Sequence, residues 1–204
     1  MLKGAGVTLS ITFWAMIGGT ILGVVLGLAR ATAAWWVNAA LGVFLDVFRS
    51  VPLLIQFVLA NSFKSIIGLN WSAFTVGCVV LAIYTSTYCA EIVRGGILAV
   101  PVSTRRAARS LGLSYWQDLK DIVFPIALRV ALPSWIGLTL GVMKDTSLVL
   151  WIGITELLRS SQTIVTRIQE PLFVLLIAGL IYFFMSFPIA LLGKHLEKQW
   201  REND

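Results

Sequence analysis

Two stretches of this chain run uncharged for longer than a lipid bilayer is thick. Residues 7–29 carry no charge over 23 positions, and residues 172–193 none over 22. A helix rises about 1.5 Å per residue, so either run covers a hydrocarbon core of about 30 Å. Backbone N–H and C=O groups find no water there, which leaves helices with internally closed hydrogen bonds as the structure of such runs. The rest of the chain agrees. Charged residues make up 13% of 204 positions, against about 25% in soluble domains, and the mean hydropathy is +0.87. A soluble fold has too little interior to hide that much apolar surface. The chain is expected to be an all-α integral membrane protein, a single domain over residues 1–204.

Five spans are expected, near residues 7–29, 45–63, 74–93, 122–143 and 172–193, with a polar insertion over residues 94–121 and a solvated charged tail from Lys194. The first span has Gly19, Gly23 and Gly27 at four-residue spacing. Small residues on one helical face allow a neighbouring helix to approach closely. The second span is interrupted at its entry by Asp46 and Arg49, which are three apart and can pair on a helix. Around residues 35–45 the chain is read as an interfacial approach to that span.

Lysine and arginine counts set the orientation. Nine of them (Arg30, Arg94, Arg105, Arg106, Arg109, Lys120, Lys194, Lys198, Arg201) fall on one side and four (Lys3, Lys64, Arg159, Arg167) on the other. The richer side is expected to be cytoplasmic, with the N-terminus outside and the C-terminus inside. The net charge of +6 reflects that asymmetry and is not taken as a sign of nucleic-acid binding. Cys78 and Cys89 lie about 16 Å apart on one helix, beyond the roughly 7 Å reach of a disulfide, and read as small buried hydrophobes. The single histidine, His195, sits beside the charged tail, so zinc chemistry and a Ser-His-Asp arrangement have no support. No paired carboxylates or activated nucleophile suggest an enzyme.

The insertion has helix punctuation. Pro101 suits a first turn, Ser103 or Thr104 offers a hydroxyl cap, and Gly112 suits the position just past a helix end. Ser114 then caps a second helix over residues 115–123 that runs into the membrane. Helix, glycine break, helix is the expectation. On spacing alone, a surface helix whose arginines attract anionic lipid fits equally well.

The spacing resembles the EAA loop of binding-protein-dependent ABC importer permeases: Glu-Ala-Ala, three residues, Gly, nine residues, Ile, one residue, Leu-Pro. Here Ala107-Ala108, Gly112, Ile122 and Phe124-Pro125 keep that spacing, with Arg106 where the family has Glu and Phe124 where it has Leu. Further stretches follow in the order of the polar amino acid (histidine/glutamine) subfamily. They are Gly6-Val-Thr-Leu9, Arg49-Ser-Val-Pro-Leu-Leu-Ile-Gln56, Glu91-Ile-Val-Arg-Gly-Gly-Ile97, Ala99-Val-Pro101, Leu111-Gly-Leu-Ser114, Ala127-Leu-Arg-Val-Ala-Leu-Pro133 and Lys144-Asp-Thr-Ser-Leu148.

The resemblance implies a type I ABC importer transmembrane domain in a bacterial cytoplasmic (inner) membrane. It implies pairing with an identical or related second permease subunit, two copies of an ATP-binding subunit on the cytoplasmic side, and an extracytoplasmic substrate-binding protein. ATP and Mg would be used by the partner; this chain has no Gly-x-x-x-x-Gly-Lys-Ser/Thr pattern and is expected to bind no cofactor itself. Arg106, Ala107, Ala108, Gly112, Leu113 and Ser114 would form the ATPase-coupling loop. The reversed charge at Arg106 implies an adapted partner surface or an unequal pair of permeases. The implied cargo is a polar amino acid or close analogue. An amine, opine or sulfur compound remains an alternative, and a channel or secondary carrier would leave the ordered insertion without a role.

Charges inside a membrane are costly and mark functional candidates. Lys144 and Asp145 are adjacent and cannot share a helical face, so a local break is expected there, with Thr146 beside it. Together with Gln56, Thr85, Ser86, Tyr88 and Glu91, they are candidates for a substrate pathway or for a structural polar network involving Arg94 and Arg129.

Overall fold

A computed structural model describes residues 1–201; residues 202–204, the end of the expected tail, lie outside the described residues. The helices are α1 (Leu2–Thr32), α2 (Trp35–Ser50), α3 (Leu53–Ile66), α4 (Ala73–Leu98), α5 (Val102–Ser110), α6 (Tyr115–Gln117), α7 (Phe124–Asp145), α8 (Leu157–Ile168) and α9 (Pro171–Arg201). A π-helical segment, Asp118–Val123, joins α6 to α7, and a 3-10 segment, Thr146–Ile152, extends α7. Residues 115–152 are thus one continuous helical rod. With α1, α4 and α9 it makes four helices long and apolar enough to cross a bilayer. The tail from Lys194 continues α9 as helix through Arg201, and it is mostly exposed as far as Gln199.

The expected second span is not one straight helix. α2 and α3 meet at 94° at Val51 and Pro52. Proline lacks an N–H and pushes the residue before it out of the helical region, and Val51 accordingly has ψ 127°. The bend is then clamped. The Gln56 amide donates from Nε2 to the carbonyls of Phe48 (2.7 Å) and Val51 (2.8 Å), satisfying acceptors left open at the end of α2.

α1 and α4 pack along a glycine seam. A Cβ added at Gly19 would lie 2.6 Å from Thr85 Cβ, at Gly23 2.4 Å from Cys89 Cβ, and at Gly27 2.7 Å from the Ala90 carbonyl. Cys78 and Cys89 are unpaired, as small packing residues. The main core gathers Ile11, Met16, Phe57, Leu81, Val142 and Val149 from α1, α3, α4, α7 and the 3-10 segment. Within it, dispersion contacts and close packing decide stability, because lipid is as apolar as the core. Outside it, Phe13, Trp14, Val25 and Phe184 stay exposed, as lipid-facing or subunit-facing side chains of a spanning helix do. One polar pin crosses the bundle, from Trp135 Nε1 of α7 to Thr20 Oγ1 of α1 at 2.9 Å.

Candidate functional site

The insertion folds as a rigid basic corner. α5 starts after Pro101, which is its N-cap; neither Ser103 nor Thr104 caps it. The first turn lacks a side-chain cap because Pro101 occupies the capping position and has no hydroxyl to offer. The helix stops at Gly112, whose φ of 85° suits glycine. There the Leu113 N–H donates to Ala108 O (3.2 Å) and the Gly112 N–H to Arg109 O (3.0 Å), the paired bonds of a Schellman turn. Ser114 and Gln117 then form a reciprocal capping box: Gln117 N–H to Ser114 Oγ at 3.4 Å and Ser114 N–H to Gln117 Oε1 at 2.9 Å. Such a cap contributes about 1 kcal/mol.

Asp118 fastens this corner. Its side chain is fully buried, and Oδ2 accepts from Arg105 Nε (3.1 Å) and Nη2 (3.0 Å), with Arg109 Nε at 3.9 Å. The Arg109 guanidinium also lies 5.8 Å from the Tyr115 ring centre. Beneath them Val100, Val123 and Ala127 pack with Ile97, Leu119 and Ile126. Gly96 of α4 closes on α7, where a Cβ would stand 2.7 Å from the Ala127 carbonyl. The helix expected over residues 115–123 is widened to a π turn, with the Phe124 N–H reaching Leu119 O. Pro125 explains the widening, because its ring cannot sit against the carbonyl four residues back in a regular α-turn.

A second charged cluster gathers at the same end of the bundle. Glu91 of α4 pairs with Arg30 of α1, with Arg94 at 3.1 Å, and with Arg49 of α2 at 3.8 Å. Arg30 Nε also donates to Asn38 Oδ1 (3.1 Å), Arg49 pairs with Asp46, and its guanidinium sits 5.9 Å from the Tyr88 ring. Glu91 therefore ties three helices together. Its partners differ from the network expected from the sequence: Arg30 and Arg49 join Arg94, while Lys144 and Asp145 take no part.

Lys144 and Asp145 lie far from Glu91 along the bundle. Since Gly96 meets Ala127, Glu91 is level with about residue 132, roughly 18 Å along the axis from Lys144. The expected break at this pair takes the form of a tightening. α7 ends at Asp145, the chain winds on as 3-10 helix, and Gly153 with φ 88° turns it toward α8. Lys144 is exposed, Asp145 half-buried, and Thr146 buried with its hydroxyl donating to Met143 O (2.7 Å).

The other polar candidates are distributed along α3 and α4. Ser86 Oγ donates to Ile83 O at 2.6 Å, and the Tyr88 hydroxyl lies 3.1 Å from that of Tyr84. Thr85 is buried against Gly19 with its hydroxyl unpartnered. Gln56 lines an apolar cleft of about 520 Å³ beside Phe48, Leu59 and Val80 while it clamps the bend.

Sequence reasoning missed two buried acids. Asp118 is one. The other is Glu156, fully buried, which caps α8 by accepting from Leu158 N–H and Arg159 N–H (both 2.7 Å) and from the Tyr182 hydroxyl (3.3 Å). Burial pushes its carboxyl up from the usual range, and those donors pull it back part of the way. Gly4 and Thr8 of α1 close over this cap; Thr8 Oγ1 accepts from Leu157 N–H at 3.3 Å. The only sequence signal was an acid just ahead of an amphipathic run.

A helical bundle with bilayer-length rods and a rigid basic corner at one end is a multi-pass membrane subunit built to contact other proteins. Residues 19–202 match the binding-protein-dependent transport system inner membrane component family, and the chain belongs to that family. It is therefore an inner-membrane, non-catalytic subunit of an ABC importer with a type I importer fold; the ATPase activity resides in a partner, and the machine includes an ATP-binding subunit and a substrate-binding protein. The chain is 31% identical to the glutamine transport system permease protein GlnP of Escherichia coli K12, over 98% of this chain and 93% of that protein. It is 33% identical to the probable amino-acid ABC transporter permease protein YckA of Bacillus subtilis, over 98% and 88%. A crystal structure of an amino acid ABC transporter with histidines superposes with a TM-score of 0.88 at 30% identity, covering 97% of this chain and 92% of that one.

Proposed function

We propose that this chain passes a polar amino acid or close analogue inward by alternating access, as one of two permease subunits, identical or related, served by two ATP-binding subunits. The observation that carries this reading is the rod over residues 115–152. One of its ends is bolted to the basic corner through Asp118; Lys144 and Asp145 stand near the other. A push on the corner is carried to the charge pair along one unbroken helix, in which Pro133 removes a single backbone hydrogen bond. An exposed ammonium beside a half-buried carboxylate suits the two charges of a zwitterionic amino acid, and the likeness to amino acid permeases supports that cargo.

In this reading residues 106–114 form the coupling loop, the N-terminus is outside, and the C-terminus is cytoplasmic, in line with the arginine-rich end. Arg106, Ala107, Ala108, Gly112, Leu113 and Ser114 face or shape the contact with the ATP-binding subunit, which uses ATP and Mg; this chain binds neither. Gln56 and the Glu91 cluster hold helices in place and lie outside the substrate path. Thr85, whose buried hydroxyl lacks a partner, is the α4 residue retained as a pathway candidate.

Lys144→Met tests the cargo site. Loss of a charge-assisted hydrogen bond is worth about 1.5–3 kcal/mol, so uptake of a zwitterionic substrate at sub-saturating concentration is expected to fall by about tenfold or more, with the assembled complex still recovered intact. Unchanged uptake kinetics would remove Lys144 from the pathway.

A further inference from the structure

We infer that the ATP-binding subunit receives this chain in an acidic groove, and that Arg106 is the residue that enters it. The inference rests on the coupling-loop reading above. α5 carries three arginines, and two are already engaged. Arg105 donates twice to Asp118, and Arg109 lies 3.9 Å from the same oxygen and against the Tyr115 ring. Both point into the joint at the foot of α6. Arg106 stands about 100° further round the helix. It is exposed, and among the described residues its guanidinium makes no hydrogen bond or ion pair.

Its surroundings are shaped for close contact. Ala107 next to it is exposed and small, and the fixed turn that follows holds Leu111 82% and Trp116 73% exposed. An unpaired guanidinium, a flat alanine and two uncovered apolar side chains sit on a corner locked by a Schellman turn, a capping box and an ion pair to the buried Asp118. A protein groove that covers this corner desolvates Arg106, and a desolvated arginine without a carboxylate is strongly unfavourable. The groove must therefore supply an acid, and the guanidinium fork suits a carboxylate in two-point contact. A lipid surface fits less well. Helices that lie in the interface present a broad face of Trp, Phe and Leu, whereas Val102 is the one large apolar side chain on α5.

The test uses the complete transporter, with its ATP-binding subunit and binding protein, in proteoliposomes. Two quantities are read: ATP hydrolysis stimulated by loaded binding protein, and retention of the ATP-binding subunit on the tagged permease as salt is raised. Arg106→Glu is expected to lower stimulated hydrolysis at least about tenfold and to release the ATP-binding subunit at lower salt. Reversing one groove Asp or Glu to Arg in the ATP-binding subunit restores both, and Arg106→Lys keeps most of the function. If Ala107→Glu uncouples the transporter while Arg106→Glu stays within about twofold of wild type, the acidic groove is wrong and the docking loop stands. If neither substitution has an effect, the docking loop falls and the acidic groove with it. A defect that follows the anionic-lipid content of the vesicles, and is not rescued from the groove, assigns Arg106 to lipid and also overturns the inference.

Discussion

Gly23→Leu is expected to prevent the chain from folding into a stable membrane bundle. A Cβ at this position already falls 2.4 Å from Cys89 Cβ and 3.0 Å from the Ser86 carbonyl. Three further carbons have nowhere to go unless α1 and α4 separate. Separation also strips the contacts at Gly19 and Gly27, one turn to either side. Overpacking of this kind costs about 1–3 kcal/mol at a single site. A seam that depends on backbone approach along its length magnifies that cost, since lipid offers no hydrophobic penalty for pulling the helices apart. The purified variant should lose its monodisperse peak in mild detergent and unfold well below the wild-type melting temperature. Gly6→Leu is the control, since nothing lies within 4 Å of a Cβ there. Equal melting temperatures for Gly23→Leu and wild type would contradict the close α1–α4 seam.

Asp118→Ala is expected to disconnect the coupling corner while leaving the membrane bundle folded. Removing one member of a fully buried ion pair costs about 3–5 kcal/mol; Asp118 is buried but Arg105 is partly exposed and can rehydrate, so the cost here lies below that range. Here the penalty falls on Arg105 and the nearby Arg109, so α5 should detach from the foot of the rod. Trypsin is expected to cut the variant between residues 105 and 109 under conditions that spare wild type. Stimulation of ATP hydrolysis by binding protein should fall with it. The double variant Arg105→Met, Asp118→Leu replaces the pair by apolar side chains and should regain protease resistance. An Asp118→Ala protein with the wild-type digestion pattern and wild-type stimulation would show that the pair does not fasten the corner.

What could be read from the sequence follows from how local each cause is. Bilayer thickness and the four-residue spacing of Gly19, Gly23 and Gly27 are properties of consecutive residues, so the long spans and the seam were legible. The Gly112 turn and the Ser114 cap were legible for the same reason. Pro52 lies inside the expected second span, but the 94° bend there is held by the Gln56 amide from α3, a contact that the local sequence does not specify. The roles of Asp118 and Glu156 arise from what packs over them. Arg105 reaches Asp118 across the turn, and Tyr182 reaches Glu156 from α9. Glu91 is legible as an intramembrane charge with Arg94 beside it, yet its other partners come from α1 and α2, far away in the chain. Lys144 and Asp145 as neighbours imply a break; that the helix tightens there and keeps going is a backbone choice that adjacent charges do not specify.

The most direct test of the central claim is uptake of radiolabelled polar amino acids by proteoliposomes containing this chain, any second permease subunit, the ATP-binding subunit and the binding protein. At least one of them is expected to accumulate, and only with ATP on the side facing the coupling loop, binding protein on the other, and all components together. Accumulation that persists without the ATP-binding subunit, driven by an ion gradient alone, would contradict that claim.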